Sequence, residues 1–461
     1  MNQFSAEYLD YIGSCKTEWE AAAYAEKKLA ANGFRNVEEV LAAGEKLRPG
    51  DKVYETNRDR GVCAAVIGEK DSFQIVSGHL DSPLVFLRPD PAEDRCGLAV
   101  ANAYGKGGAR RPTWVDIPLA LHGKLVMRDN SILELTMGEQ DSDPVVFITE
   151  IAAHLAKKQN GQALKDAYTD DQLNIIFGSL AKDQSCRTYL DQLLRERFGA
   201  SYDDLKYGDI YVVPAPKPRE VGLDRSLIAA YGQDDRICVY CALQAVLDAK
   251  PTGNTAVAML FDREELGSRG NTAADSEFYR NFLLKLRVLT TGDGSLLGLT
   301  QALSKAKAVN GDVTWAMEPM DPGLLEAANN AVLGRGTTVS VYGGNGEPQF
   351  RGSVQRLLDE KQIAWQVSTG QTNALSFSSS VSQSFNKQNM DAISIGPASA
   401  ACIPPMSWSA SSTCIRPIRA ILHFWKPIPY CKRGGTSWKT PNAPGPRSRC
   451  STITGSTSRK T

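Results

Sequence analysis

Residues 234–268 read DDRICVYCALQAVLDAKPTGNTAVAMLFDREELGS, and the order of elements in them decides the fold. Asp234 to Ala249 is an apolar stretch at helical spacing that opens on two acids. Pro251, Thr252 and Gly253 break it, and Asn254 to Phe261 then runs as a buried strand that ends in Asp262, Glu264 and Glu265. A helix followed by a short apolar strand is half of an α/β unit, and such sheets carry their ligands beyond the carboxyl ends of the strands.

The pattern repeats outward. TEWEAAAYAEKKLAANGF predicts a helix with Gly33 at its C-terminal cap, and GVCAAVIGE and DSFQIVSGHLDSP predict strands, the second ending in His79 and Asp81. Further along, NGDVTWAME and GTTVSVYGG predict two more strands. Between these groups, from about Arg95, the character changes. TWVDIPLALHGKLVMRDNSILELTMGE reads as antiparallel strands, EIAAHLAKKQNGQALKDAY and DQLLRERFGASYDDL as helices, and PAPKPREVGLDRSLIAAYG as the return. The expected organisation is an α/β domain with a mixed sheet flanked by helices (1–95 and 225–397), interrupted by a β-rich insert (96–224). A tail, 398–461, follows.

Charge separates that tail from the rest. After Asp391 no Asp or Glu occurs, and ten of the 52 Lys and Arg lie beyond residue 401, leaving 42 against all 52 Asp and Glu before it. An acidic body argues against nucleic acid or an anionic membrane as the partner. No apolar run reaches spanning length, and MNQFSAEYLDYIG lacks the basic and apolar regions of a signal peptide, so a cytoplasmic protein is expected. The cysteines before residue 400 show no disulfide framework, and CVYC at 238–241, without a second pair, reads as core thiols.

Four segments place metal-ligand residue types just after predicted strands: GHLDSP (His79, Asp81), GQDDR (Asp234, Asp235), DREELGS (Glu264, Glu265) and NGDVTW (Asp312). Each alone is ordinary, since acid pairs are usually solvated turns and a lone His is usually a core residue. Together they concentrate negative charge at one sheet edge, which is costly unless cations neutralise it. Imidazole and carboxylate suit zinc, two ions about 3.5–4 Å apart activate a shared water, and a carboxylate that is not a ligand accepts its proton. Adjacent glutamates can divide these roles.

The segments SGHLDSP, YGQDDRICVYCAL, FDREELGSRGNTAA and GDVTWAMEPMDP, in this order and with a β-rich insert between the first two, resemble the bacterial branch of the aspartyl aminopeptidase-like dizinc metalloaminopeptidases. The resemblance implies that His79 and Asp312 bind one zinc, Glu265 the other, and that Asp234 bridges them. It implies Glu264 as general base, Asp81 as the support that orients His79, a cis Asp234–Asp235 peptide, peptide substrates and assembly through the insert, commonly as a dodecamer.

The chain departs from that family at its end. A final His ligand is expected in a Met-His-Ser-Pro type segment, but the only histidines are His79, His122, His154 and His423. One permissible codon set for Cys402 to Pro417, read two bases later, encodes HSPYELVSKLDVYST, the expected family ending. Residues 398–461 therefore read as an out-of-frame translation, consistent with their four of ten Cys, three of seven Trp and absent acids. The rival reading is a genuine basic tail. Loss of this ligand implies partial metal loading and reduced activity, and the alternative function is a catalytically silent oligomeric scaffold or peptide binder. YGGNGEPQFRGSVQ and TGQTNALSFSSSVSQSF also depart from the family, and no substrate residue is assigned in either.

Overall fold

The computed structural model describes residues 3–250, 253–341, 346–369, 379–400 and 407–410. Their architecture is two sheets, each with its own core. In the larger one, of thirteen strands, the centre runs Asn254–Phe261, Lys70–His79, Lys307–Gly311 and Asp391–Ala400, each parallel to its neighbour. Parallel neighbours in register end at the same edge. Phe261 pairs with His79 and Gly311 with Ile395, so the residues following these strands, Asp81, Asp262 to Glu265 and Asp312, emerge together.

Both faces of this sheet are covered, which is why its central strands read as continuous apolar runs. Val76 and Ala258 face a core completed by Tyr8, Ala25 and Leu243, whereas Ile75 and Val257 face one completed by Phe282 and Leu286. The helix Glu18–Ala31 begins with a capping box between Thr17 and Glu20 and ends before Gly33, which has a φ of 80°. The helix Gln233–Leu247 is buried on nearly every side, and Cys238 and Cys241 are buried thiols within its packing, as expected.

Two glycines let that helix reach the sheet edge. A Cβ on Gly78 would lie 2.8 Å from the Val239 nitrogen, and one on Gly311 would lie 2.6 Å from the Ser77 carbonyl oxygen and 2.7 Å from Cys238 Cβ. The close approach puts the acidic start of the helix beside His79.

The second sheet is antiparallel with six strands, in the order Ile132–Met137, Leu119–Val126, Gly208–Pro214, Leu84–Arg95, Leu98–Lys106, Ile175–Ser179. Pairing places its start at Leu84, ahead of the boundary drawn at 95/96. The change in composition marks the hairpin at Cys96 and Gly97, not the first strand. The chain is back in the larger sheet by Arg219–Val221, before the boundary drawn at 224/225. Residues 150–168, expected as a helix, form only the single turns Lys157–Asn160 and Leu164–Ala167, and Ile151, Leu155 and Leu164 are exposed. The larger apolar residues stay largely exposed, and propensity alone does not sustain a helix.

A buried ionic network ties the two sheets together. Lys16 Nζ lies 2.7 Å from Glu139 Oε1 and donates to the Pro214 carbonyl, while His122 bridges Glu20 at 2.6 Å and Glu139 at 3.0 Å. The tail expected to be out of frame lies outside the described residues, apart from Ala398 to Ala400 and the strand Ser407–Ala410. That strand pairs antiparallel with both Leu227–Ala230 and Asp391–Ala400.

Because the space at Gly311 is closed by backbone and by Cys238 Cβ, Gly311→Ala is expected to destabilise the fold by about 1–3 kcal/mol. Urea denaturation followed by circular dichroism reads this, and an unchanged midpoint refutes the close-approach argument.

Candidate metal centre

His79 is the last residue of its strand and is fully enclosed. Its Nδ1 lies 3.0 Å from the Asp81 carbonyl oxygen, an atom that can only accept, so Nδ1 carries the proton and Nε2 is directed into the site. There Nε2 stands 3.3 Å from Asp234 Oδ1 and 4.0 Å from Asp312 Oδ1.

Asp81 therefore orients His79 chiefly through its carbonyl, with its carboxylate at 3.5 Å. The carboxylate has a second task. Oδ1 accepts the backbone N–H of Glu264 at 3.0 Å and Oδ2 that of Glu265 at 3.2 Å, capping the short turn Glu264–Leu266 that follows the neighbouring strand. Burial opposes its charge, but the bond to His79 and the Glu264 N–H hold its pKa below the usual value.

The Asp234–Asp235 peptide is cis, as expected from the resemblance. The two side chains diverge. Asp234 faces His79 Nε2 and is partly open to solvent, whereas Asp235 is sealed in, its Oδ2 accepting the His79 backbone N–H at 3.1 Å and its Oδ1 without a hydrogen bond. Among the described residues, ligand atoms of His79, Asp235 and Asp312 all lie within 4.8 Å of one another. Proximity thus picks out Asp235, while the direction of Nε2 picks out Asp234. Glu265 lies outside this tight group, its Cβ against the turn of the second sheet, where a Cβ on Gly107 would come within 2.9 Å.

Electrostatics makes the edge anomalous for a protein without cations. Burial, together with the charge of Glu264, pushes the Asp312 carboxyl up to about 8. Burial and the charge of Asp234 raise Glu265 well above its usual value, and Asp234 and Asp235 are raised chiefly by burial. Burial disfavours the His79 imidazolium, yet hydrogen bonding to Asp234 and Asp81 holds its pKa well above normal. Buried carboxyls whose charged forms are disfavoured, around one imidazole whose Nε2 faces Asp234 and Asp312, form a donor set whose charge a divalent cation can stabilise. Nitrogen and carboxylate donors fit zinc.

The general base candidate is anchored by groups the sequence reading left unassigned. Glu264 Oε1 accepts the Ser380 backbone N–H at 2.9 Å and the Ser380 hydroxyl at 2.8 Å. Both Ser379 and Ser380 belong to the segment set aside as atypical. The run of serines at 378–380 was the only available signal.

A parallel sheet edge that gathers an imidazole, several buried carboxylates and an adjacent, separately held glutamate defines a metallohydrolase. Comparison with known proteins narrows the class. Residues 11–425 match the family described as aminopeptidase I zinc metalloprotease (M18). The probable M18 family aminopeptidase 1 of Clostridium acetobutylicum is 34% identical over 376 residues, spanning 78% of this chain and 81% of that protein. The crystal structure of an M18-family aminopeptidase from Thermotoga maritima superposes with a TM-score of 0.85 at 30% identity, covering 92% of this chain and 95% of that one. A structure described as the S. cerevisiae mApe1 dodecamer shares the fold, with a TM-score of 0.74 at 16% identity over 92% and 97% of the chains. The chain belongs to the M18 family of zinc metalloproteases and is a metalloaminopeptidase by that membership.

The raised groups set a pH dependence for the metal-free protein. A carboxyl that ionises near pH 4 when unfolded but holds its proton to about 8 when folded, as Asp312 does, makes the native state bind more protons between those values. Stability then falls as pH rises. The raised His79 and His122 act in the same direction, their contributions being lost as pH rises through their folded values. The thermal midpoint of chelator-treated protein is expected to drop between about pH 5 and pH 8, and added zinc to flatten the drop. Midpoints that rise over this window in the absence of metal contradict the assignment.

Proposed function

We propose that His79 and Asp312 hold one zinc, that Glu265 holds a second, that Asp234 bridges them and that Glu264 is the general base of an aminopeptidase reaction on peptides. Asp234 is preferred to Asp235 as bridge because it faces Nε2 and remains partly open, while Asp235 spends one oxygen on the His79 backbone. Two ions bound there would polarise the scissile carbonyl and acidify the water they share. Glu264 takes a proton from that water and returns it to the leaving amine, and Asp235 keeps the His79 strand end in place. The observation that carries this reading is the Asp81 carboxylate, which fixes Glu264 and Glu265 by their backbones while its carbonyl orients His79.

The family resemblance implies one further imidazole on the zinc of Glu265. His122 is engaged by Glu20 and Glu139 in the inter-sheet network, His154 is exposed, and His423 lies outside the described residues. Asp234 and Glu265 alone are fewer than the three protein ligands usual for catalytic zinc, so this site is expected to be the weaker and turnover to be reduced. The out-of-frame reading of 398–461 accounts for the loss. The dodecamer described for the yeast neighbour supports a homo-oligomer, with the second sheet and its exposed 150–168 segment as the assembly module. No described helix is long and apolar enough to cross a membrane, which is compatible with the cytoplasmic setting inferred from the sequence.

Glu264→Gln is expected to lower turnover of aminoacyl anilides by about 100-fold or more, with zinc content unchanged. Wild-type turnover in this variant removes Glu264 from the mechanism. Competitive zinc titration of the wild-type chain should show one tight and one weak site per subunit. Two tight sites of equal affinity contradict the missing-ligand argument, and no turnover at full zinc occupancy favours the silent scaffold.

A further inference from the structure

The Glu264 carboxylate is held through one oxygen. Oε1 accepts from the Ser380 N–H and hydroxyl and has the Ser379 hydroxyl at 3.5 Å, whereas among the described residues no hydrogen bond reaches Oε2. Ser380 is the first residue of the helix Ser380–Lys387, whose opening N–H groups have no partner within the helix and favour an anion. Its hydroxyl also lies 2.6 Å from Ser268 Oγ. A hydroxyl has one proton to give. With Ser380 donating to Glu264, Ser268 donates to Ser380, and the donor chain runs one way, into Oε1. Ser268 follows the Glu264–Leu266 turn, so the chain also locks that turn to the helix. Ser379, next to it, faces the carboxyl of Asp312, which follows the strand Lys307–Gly311.

We infer that Ser380 is a positioning residue for the general base. By occupying Oε1 it fixes the carboxylate plane and leaves Oε2 as the single atom that takes the proton. The inference rests on the reading of Glu264 as base. Either oxygen of a freely rotating carboxylate can accept, but proton transfer in the transition state depends on a fixed near-attack geometry.

The test uses the zinc-supplemented full chain with aminoacyl anilides. Ser380→Ala is expected to lower kcat roughly tenfold, with KM within about twofold and zinc content unchanged, because the backbone N–H remains but the orienting hydroxyl is gone. Ser380→Thr should restore most of kcat. A second measurement needs no turnover: on chelated protein, Ser380→Ala should lower the thermal midpoint more in the wild-type background than in Glu264→Ala, where only the contact with Ser268 remains to be lost. A change confined to KM, or wild-type kcat in Ser380→Ala while Glu264→Ala is inactive, overturns the role of Ser380 alone. Retained turnover in Glu264→Ala overturns the base reading beneath it. If the chain turns over no substrate, the cycle decides: coupling between the two residues supports the contact, and additive shifts overturn it.

Discussion

Asp81 meets three needs of this sheet edge at once. Its carbonyl selects the proton-bearing nitrogen of His79, and its carboxylate takes two backbone N–H groups from the turn that carries Glu264 and Glu265. A turn that begins with Arg263 in the left-handed region and ends on Gly267 has no regular ladder of its own to hold it. Without the carboxylate the turn would lose the two bonds that hold the backbones of its glutamates, while the carbonyl would still fix the imidazole tautomer. The charge that makes Asp81 useful is itself sustained by these partners, since a buried carboxylate is stable only when hydrogen-bonded. The site is a mutual arrangement: the strand ends supply the donors, and the donors keep the acid ionised.

The residues of this edge were legible in the sequence because parallel strands announce themselves as apolar runs and whatever follows them must emerge at one side. His79, Asp234, Glu264, Glu265 and Asp312 needed only that rule and the chemistry of carboxylates beside an imidazole. What a side chain touches across the fold is another matter. Nothing in SSSVSQSF says that Ser380 will meet Glu264, since the two are far apart in sequence and adjacent only because the helix Ser380–Lys387 packs beside the strand edge. The competition between Asp234 and Asp235 for the imidazole was equally illegible, because it depends on which carboxylate the turn directs at Nε2 and which it hands to the His79 backbone. The 150–168 segment shows the opposite error, where residues at helical spacing form only single turns and the larger apolar ones stay exposed.

The second sheet has a direct bearing on the site, because its turn at Gly107 lies against Glu265. The network of Lys16, Glu20, His122 and Glu139 sets the two sheets against each other from within the structure, and Arg60 adds a further tie by pairing with Glu18 and lying close to Asp209. Buried ion pairs contribute little net stability, but they penalise any arrangement that leaves one partner unpaired. Their effect is one of register. Glu265 is thereby pinned between its own turn, fixed by Asp81, and a wall whose position is fixed through the second sheet.

On the proposed assignment, removing a neutral histidine leaves the carboxylate charge at the edge unaltered. The electrostatic demand for cations comes from Asp234, Glu265 and Asp312 in a space where burial already raises all three, and it persists whether or not a further His is present. On that same assignment the second position would lack a nitrogen donor, and nitrogen donors are what favour zinc over harder, oxygen-preferring ions. The deficit therefore falls on coordination number and selectivity rather than on charge. The first position, with His79 intact and its tautomer set by Asp81, keeps both.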